Sequence, residues 1–167
     1  MTGFRIEPLR RDHIVDGFTC GHPALDRFLI RHALQAQAAN SARTYVALES
    51  AEVVGFHTLI AGEVQHANAP DRIVKGMPRH PIPLLILARL AVHTRLQGKG
   101  LGASLLRDAL DRALQAIDLI GARALAVHAK DEAAASFYRH FGFVPSPTDP
   151  RHLFLLVKDI RGARSHR

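Results

Sequence analysis

Glycines alternate in Gln97-Gly98-Lys99-Gly100-Leu101-Gly102, which lies between an apolar run and a long helical pattern. Glycine lets a backbone come close to a ligand and adopt positive φ. The first amides of a helix have no intrahelical acceptor, and the helix dipole places a partial positive charge beside them. Together these features make a cradle for a pyrophosphate, to which Lys99 adds a point charge. Two other phosphate-binding loops are excluded by spacing. A Walker loop needs Ser or Thr after Gly-Lys, where Gly100 stands, and a dinucleotide fold needs G-x-G-x-x-G. A glycine turn that only packs helix on strand is the alternative, and the order strand, loop, helix favours binding.

Other residues carry possible chemistry. Arg89 interrupts the apolar run Leu84–Val92. It reads either as a paired core arginine or as a residue facing a ligand cleft. Tyr138 is one of two tyrosines and lies near Phe137 and Phe141, which suits core packing as well as catalysis. The run Leu84–Val92 has no carboxylate to serve as a base. An α-amine, with a pKa of about 7.7–8.0, is partly neutral near pH 7, whereas a lysine at about 10.4 needs a base. Were an amine the group acted on, the run would favour an α-amine over lysine; a base from another segment, such as Glu63, is the alternative. The 11 histidines include no H-E-x-x-H and no Cys/His cluster, so no metal is expected. Cys20 is the single cysteine and reads as buried and inert, and His128 reads as a core residue on a strand.

These residues need a frame. Phe4–Pro8 reads as a first strand and Asp12–Phe18 as a short helix. Ala24–Ala39 reads as one helix with Leu25, Phe28, Leu29 and Leu34 on its apolar stripe. Thr44–Leu48 and Val53–Ala61 read as strands. The proline-rich stretch Gly62–Pro83 reads as loop, with a strand near Ile73. Leu84–Val92 reads as a central strand covered on both faces, and Ala103–Ile120 as a long amphipathic helix stopped by Gly121. Arg123–Ala129 is then a strand, Asp131–Phe141 a helix, and Phe143–Pro145 and Leu153–Val157 the last strands. This order predicts a mixed α/β fold with a crossover around a central sheet.

The 167 residues suit one domain, read as residues 1–160 followed by a basic tail at 161–167. No apolar run approaches the roughly 20 residues of a membrane helix. No signal-peptide stretch opens the chain, and a cytoplasmic protein is expected. The 22 Lys and Arg against 15 Asp and Glu give a formal charge of +7. Such a surface attracts polyanions, nucleic acid included. Arg27, Arg31, Arg43 and Arg79 would line an RNA surface or stand as solvated charge.

The sequence resembles the GNAT superfamily of acetyltransferases. The superfamily motif Q/R-x-x-G-x-G/A is matched by Gln97, Gly100 and Gly102. A second motif, F-Y-x-x-x-G-F, is matched by Phe137, Tyr138, Gly142 and Phe143. More narrowly, Phe18–Leu29 and Pro81–Val92 are similar to the GNAT toxins of type II toxin–antitoxin modules. The match departs at His93, where those toxins commonly carry Asp. The resemblance implies an α/β (α+β) fold: a central mixed and mostly antiparallel twisted sheet of six to seven strands, flanked by about four helices.

The resemblance also implies acetyl-CoA as co-substrate and direct transfer in a ternary complex. The pantetheine arm would pair with the backbone of Leu90, Ala91 and Val92, where an N–H would polarise the thioester carbonyl. The pyrophosphate would rest on Gln97, Gly98, Lys99, Gly100, Leu101, Gly102 and Ala103. Tyr138 would protonate the departing thiolate. Arg89, on the reading that it faces the acceptor rather than pairing in the core, would touch RNA phosphate or ribose. The function implied is that of a homodimeric toxin that acetylates the α-amino group of aminoacyl-tRNA, blocks translation and is neutralised by a ribbon-helix-helix antitoxin. Two other readings stay open: a GNAT enzyme for a small amine or a protein N-terminus, and a non-catalytic acetyl-CoA-binding module.

Overall fold

The computed structural model describes residues 4–163. Its seven-stranded sheet has the order β1-β2-β3-β4-β5-β7-β6. The strands are β1 (Arg5–Pro8), β2 (Arg43–Glu49), β3 (Glu52–Val64), β4 (Ile82–Val92), β5 (Ala124–His128), β6 (Val144–Pro145) and β7 (His152–Leu156). The helices are α1 (Pro23–Arg27), α2 (Ala33–Ala38), α3 (Asp71–Val74), α4 (Leu101–Ile120), α5 (Glu132–His140) and α6 (Val157–Ala163). Antiparallel pairs join β1 to β2, β2 to β3, β5 to β7 and β6 to β7. Only a crossover connection can make two successive strands parallel. That connection is α4, and β4 and β5 are parallel. The expected mixed, mostly antiparallel architecture is the one observed.

The chain forms two compact units. The first holds the described residues up to Ile60 together with Ala88–Ala109; the second holds Ala61–Leu87 and the residues from Leu110 onward.

In the first unit, strand side chains alternate between two faces, as the pleat requires. On one face, Val46, Phe56 and Ala91 pack with Leu29 and Ala33 from the helical segment before β2. On the other, Ala47, Val54, Leu90 and Val92 pack with Leu101 and Leu105 of α4. The close approach of α4 to β3 requires Gly55. A Cβ there would lie 2.9 Å from Leu105 Cδ1 and 3.3 Å from the Ala91 carbonyl oxygen.

In the second unit, Ile73, Ile82, Leu84, Ala124 and Phe154 share one buried cluster. Arg123 secures the stretch before β4. Its Nε donates to the Ile73 carbonyl at 3.0 Å and its Nη2 to the Lys75 carbonyl at 3.0 Å, which satisfies the open end of α3.

Three sequence expectations are corrected. Ala24–Ala39 is not one regular helix, because a π-helical turn, Phe28–His32, separates α1 from α2. The wider turn shifts the helical phase, so Ala33 is buried and Leu34, expected on the apolar stripe, is 41% exposed. Asp12–Phe18 forms no helix. Ile14 instead makes an extended bridge, its N–H donating to Ala51 O at 2.8 Å and its carbonyl accepting from Val53 N–H at 2.9 Å. The stretch around Ile73 is the short helix α3 rather than a strand, with Asp71 suiting its first turn. The basic tail expected at 161–167 begins inside α6, and residues 164–167 lie outside the described residues.

Candidate active site

The register of β4 with β5 ends at Leu87↔Val127, and β4 runs on to Val92. The first unit holds this extension in place. His93 N–H donates to Val54 O and Thr94 N–H to Thr19 O, both at 2.9 Å. The Gln97 side chain adds a brace, with Nε2 donating to Cys20 O and to Val92 O, each at 2.9 Å. Gln97 is thus placed at the head of the glycine loop as its motif implies, but its amide group ties down protein carbonyls. His93 caps the one-turn helix Thr94–Leu96, its Nδ1 accepting from Arg95 N–H at 3.2 Å. An aspartate would cap such a turn through a carboxylate oxygen. The imidazole nitrogen does the same, so the departure at His93 preserves the local turn.

The loop then takes the backbone path that only glycine follows freely. Gly98 has a φ of 77° and Gly100 a φ of 88°, in the left-handed region. A Cβ on either would meet nothing within 4 Å. Their requirement is therefore conformational, and the space beside them is open. The first bond of α4 runs from Ser104 N–H to Gly100 O at 3.2 Å. The amides of Leu101, Gly102 and Ala103 lie ahead of it, at the positive end of a 20-residue helix. Lys99 is exposed in the same loop. Open space, donor amides and a lysine are what an anionic diphosphate needs, so the residues present fit such a group.

On β4, Arg89 has left the aliphatic pattern for an aromatic one. Its guanidinium carbon stands 3.5 Å above the Phe28 ring centroid, and Phe28 in turn stacks near Phe56 at 6.4 Å. Arg89 is half-buried, and burial draws its pKa below the ordinary arginine value.

In the second unit, Tyr138 lies on α5. Asp131 caps that helix, its Oδ1 accepting from Ala134 N–H at 2.8 Å. The Tyr138 ring is buried against the edges of Phe137 and Phe143, at 5.3 and 5.5 Å. This burial pushes the phenol well above the usual tyrosine range. Tyr138 is accordingly a protonated, neutral acid at physiological pH.

The remaining candidates separate. Cys20 is buried, as expected. His128, expected in the core, is exposed, because it is the last residue of β5. Its ring stacks on His152 at 4.5 Å, and its Nε2 lies 3.0 Å from Asp149 Oδ2. Glu63, Arg27, Arg31, Arg43 and Arg79 are exposed. Among the described residues, no helix is long and apolar enough to cross a membrane, and no group of three or more His, Cys, Asp or Glu is placed to hold a metal ion. Sequence reasoning missed Phe28 as the partner of Arg89, and no local signal marks it. It also missed Asp131, whose place just ahead of a helical pattern is a recognisable capping signal.

The fold and this loop define a GNAT-type acetyltransferase. Residues 40–145 match the family model described as an acetyltransferase (GNAT) domain, and the chain belongs to that family. Over 147 residues, 88% of each chain, it is 48% identical to the tRNA-acetylating toxin of Mycobacterium tuberculosis. Among solved structures, AtaT complexed with acetyl-methionyl-tRNAfMet superposes with a TM-score of 0.87 at 31% identity, covering 94% of this chain and 96% of that one. A mutant AtaT toxin bound to the C-terminus of the antitoxin AtaR and to acetyl-CoA superposes with a TM-score of 0.79 at 29% identity, covering 94% and 95%.

Proposed function

We propose that this protein is an acetyl-CoA-dependent toxin that acetylates the α-amino group of aminoacyl-tRNA, blocks translation and is neutralised by a cognate antitoxin. One observation carries the choice of acceptor: the chain is similar over nearly its whole length to a tRNA-acetylating toxin and to AtaT complexed with an acetylated aminoacyl-tRNA. In further keeping with the family resemblance, the antitoxin is of the ribbon-helix-helix type, the toxin is a homodimer, and the site of action is the cytoplasm.

Acetyl-CoA, when bound, supplies an acetyl group activated as a thioester. The chain's own residues account for the rest. The backbone of Leu90, Ala91 and Val92 offers hydrogen-bonding groups along the end of β4, and an N–H there favours negative charge on a carbonyl oxygen. The loop from Gln97 to Gly102, with Ala103, holds the diphosphate through main-chain amides, and Lys99 adds its charge. Tyr138 keeps its proton at neutral pH and passes it to the sulfur as the C–S bond breaks, and the proton released by the newly acylated amine restores the phenol. The acceptor needs no strong base, because an α-amine with a pKa of about 7.7–8.0 is already partly neutral. Arg89 contacts the acceptor.

The test is transfer of labelled acetyl from acetyl-CoA to charged and uncharged tRNA. Label should enter charged tRNA only. Tyr138→Phe should slow transfer by about 100-fold or more, the usual scale for a lost general acid, while calorimetry shows the heat of acetyl-CoA binding retained. Label passing to a polyamine or a protein N-terminus but not to charged tRNA would overturn the acceptor assignment. Absence of any heat with acetyl-CoA would overturn the whole reading.

A further inference from the structure

We infer that the Arg89 guanidinium, held 3.5 Å over the Phe28 ring, is the receptor for one phosphodiester of the acceptor's RNA end, on the face of β4 opposite the donor loop. The inference rests on the tRNA-acetylating reading above and specifies which chemical group Arg89 engages.

Three observations lead to it. The first is the direction of the side chain. Leu90 and Val92 pack with Leu101 and Leu105 of α4, the helix that the donor loop opens. Ala91 packs in the cluster that Phe28 joins, and Arg89, two residues earlier on the same strand, lies over Phe28 itself. Arg89 therefore serves the face that α4 does not occupy, and the phosphates of the donor belong to the other side.

The second is the state of its charge. Arginine has five N–H donors in one plane. The Phe28 ring lies against that group and, having no acceptor of its own, leaves its N–H donors unused. Among the described residues no carboxylate pairs with Arg89, and desolvation is what acts on its charge. Partial burial disfavours a cation without a counter-ion; the Phe28 ring offsets part of that cost, and an anion on the unused donors would offset more. A planar fork in a partly dry setting matches the two oxygens of a phosphate.

The third is the support. Phe28 opens the π-helical turn Phe28–His32, a rare geometry that tends to occur where function demands it. Arg27 and Arg31 on the same segment are exposed and add long-range attraction for a polyanion.

The experiment pairs protein variants with a chemically altered substrate. Charged tRNA is prepared with ordinary phosphodiesters at its 3′ end, or with a neutral methylphosphonate at one linkage at a time. Arg89→Gln should lower kcat/KM on the ordinary substrate by about tenfold or more, mainly through KM, which is the scale of a lost charge-assisted hydrogen bond. At one linkage, neutralisation should cost the unmutated protein a similar factor and cost Arg89→Gln little more. Arg89→Lys, which keeps the charge without the fork, should fall between. Calorimetry with acetyl-CoA monitors folding, and if Arg89→Gln does not bind, the same coupling is required of Arg89→Lys. Losses that multiply independently at every linkage would overturn the inference, as would an unchanged KM in Arg89→Gln. Failure of the unmutated protein to acetylate ordinary charged tRNA would defeat the parent reading first, whereas normal transfer without coupling defeats this one alone.

Discussion

Nε2 of His57 lies 2.7 Å from Oδ2 of Asp108. His57 is fully buried on β3 and stacks on Tyr45 at 5.1 Å, while Asp108 sits in the second turn of α4. The contact pins the donor helix to the sheet, and so sets where the glycine loop opens. Asp108→Ala strips a buried imidazole of this hydrogen bond, at a cost of about 1–3 kcal/mol. The midpoint of thermal unfolding should drop accordingly. Asp108→Asn keeps an acceptor oxygen and should lose less; equal losses would mean that the hydrogen bond is not what matters.

Gly100→Ala places a Cβ at a φ of 88°, at a cost of about 1–2 kcal/mol. Gly76 has a φ of 77° and is equally open, so Gly76→Ala serves as a matched control for stability. Only Gly100→Ala should weaken acetyl-CoA binding in calorimetry. Affinity that is unchanged in both, or reduced equally in both, would contradict a main-chain cradle.

Gln97→Glu replaces a double donor with an acceptor that faces two carbonyl oxygens. The lost bonds to Cys20 O and Val92 O should cost about 1–3 kcal/mol. Exchange of the Thr94 amide, bonded to Thr19 O at 2.9 Å, should quicken as the brace fails. Protection of Thr94 equal to that in the unmutated protein would argue against the brace.

His152 lies between the rings of His128 and Phe154, each 4.5 Å away. Burial first, and the charge of His128 second, hold its pKa below the ordinary histidine value, while Asp149 acts in the opposite sense. Unfolded, this imidazole takes up its proton near the usual pKa of about 6.5. Just below that pH the unfolded chain binds more protons than the folded one, so the group's contribution to stability is lost as pH falls. His152→Phe should narrow the difference in melting temperature between about pH 7.5 and about pH 5. An unaltered difference would rule His152 out as a contributor.

Much of the fold was legible because each element carried its own signal. The apolar run of β4 and the period of α4 predicted their existence, and Leu106, Ala109, Leu110, Ala113, Leu114 and Ile117 are buried as the pattern required. The glycine loop was legible because positive φ leaves glycine at fixed positions. The π turn was not, since one extra residue in a turn changes no residue type; it only displaced Leu34 from the core in favour of Ala33. Tyr138 could be located but its protonation could not, because the burial that raises its pKa comes from rings brought together by folding. The stacking of Arg89 on Phe28 joins residues far apart in the chain and has no local trace at all. The side chain of Gln97 shows the converse limit, since a residue can satisfy a ligand-binding motif and still turn its amide toward protein carbonyls.

Alternation along an extended chain is a property of the backbone and asks for no special residue. At the end of β4 it separates two tasks by a single residue step, with Arg89 and Ala91 on one side and Leu90 and Val92 on the other. The side chain at position 89 can therefore differ without disturbing the fit of Leu90 and Val92 against α4, whereas Ala91 stays held in the buried cluster with Phe56. One strand thus keeps its packing against α4 while leaving a half-buried position, 89, open to change on its other side.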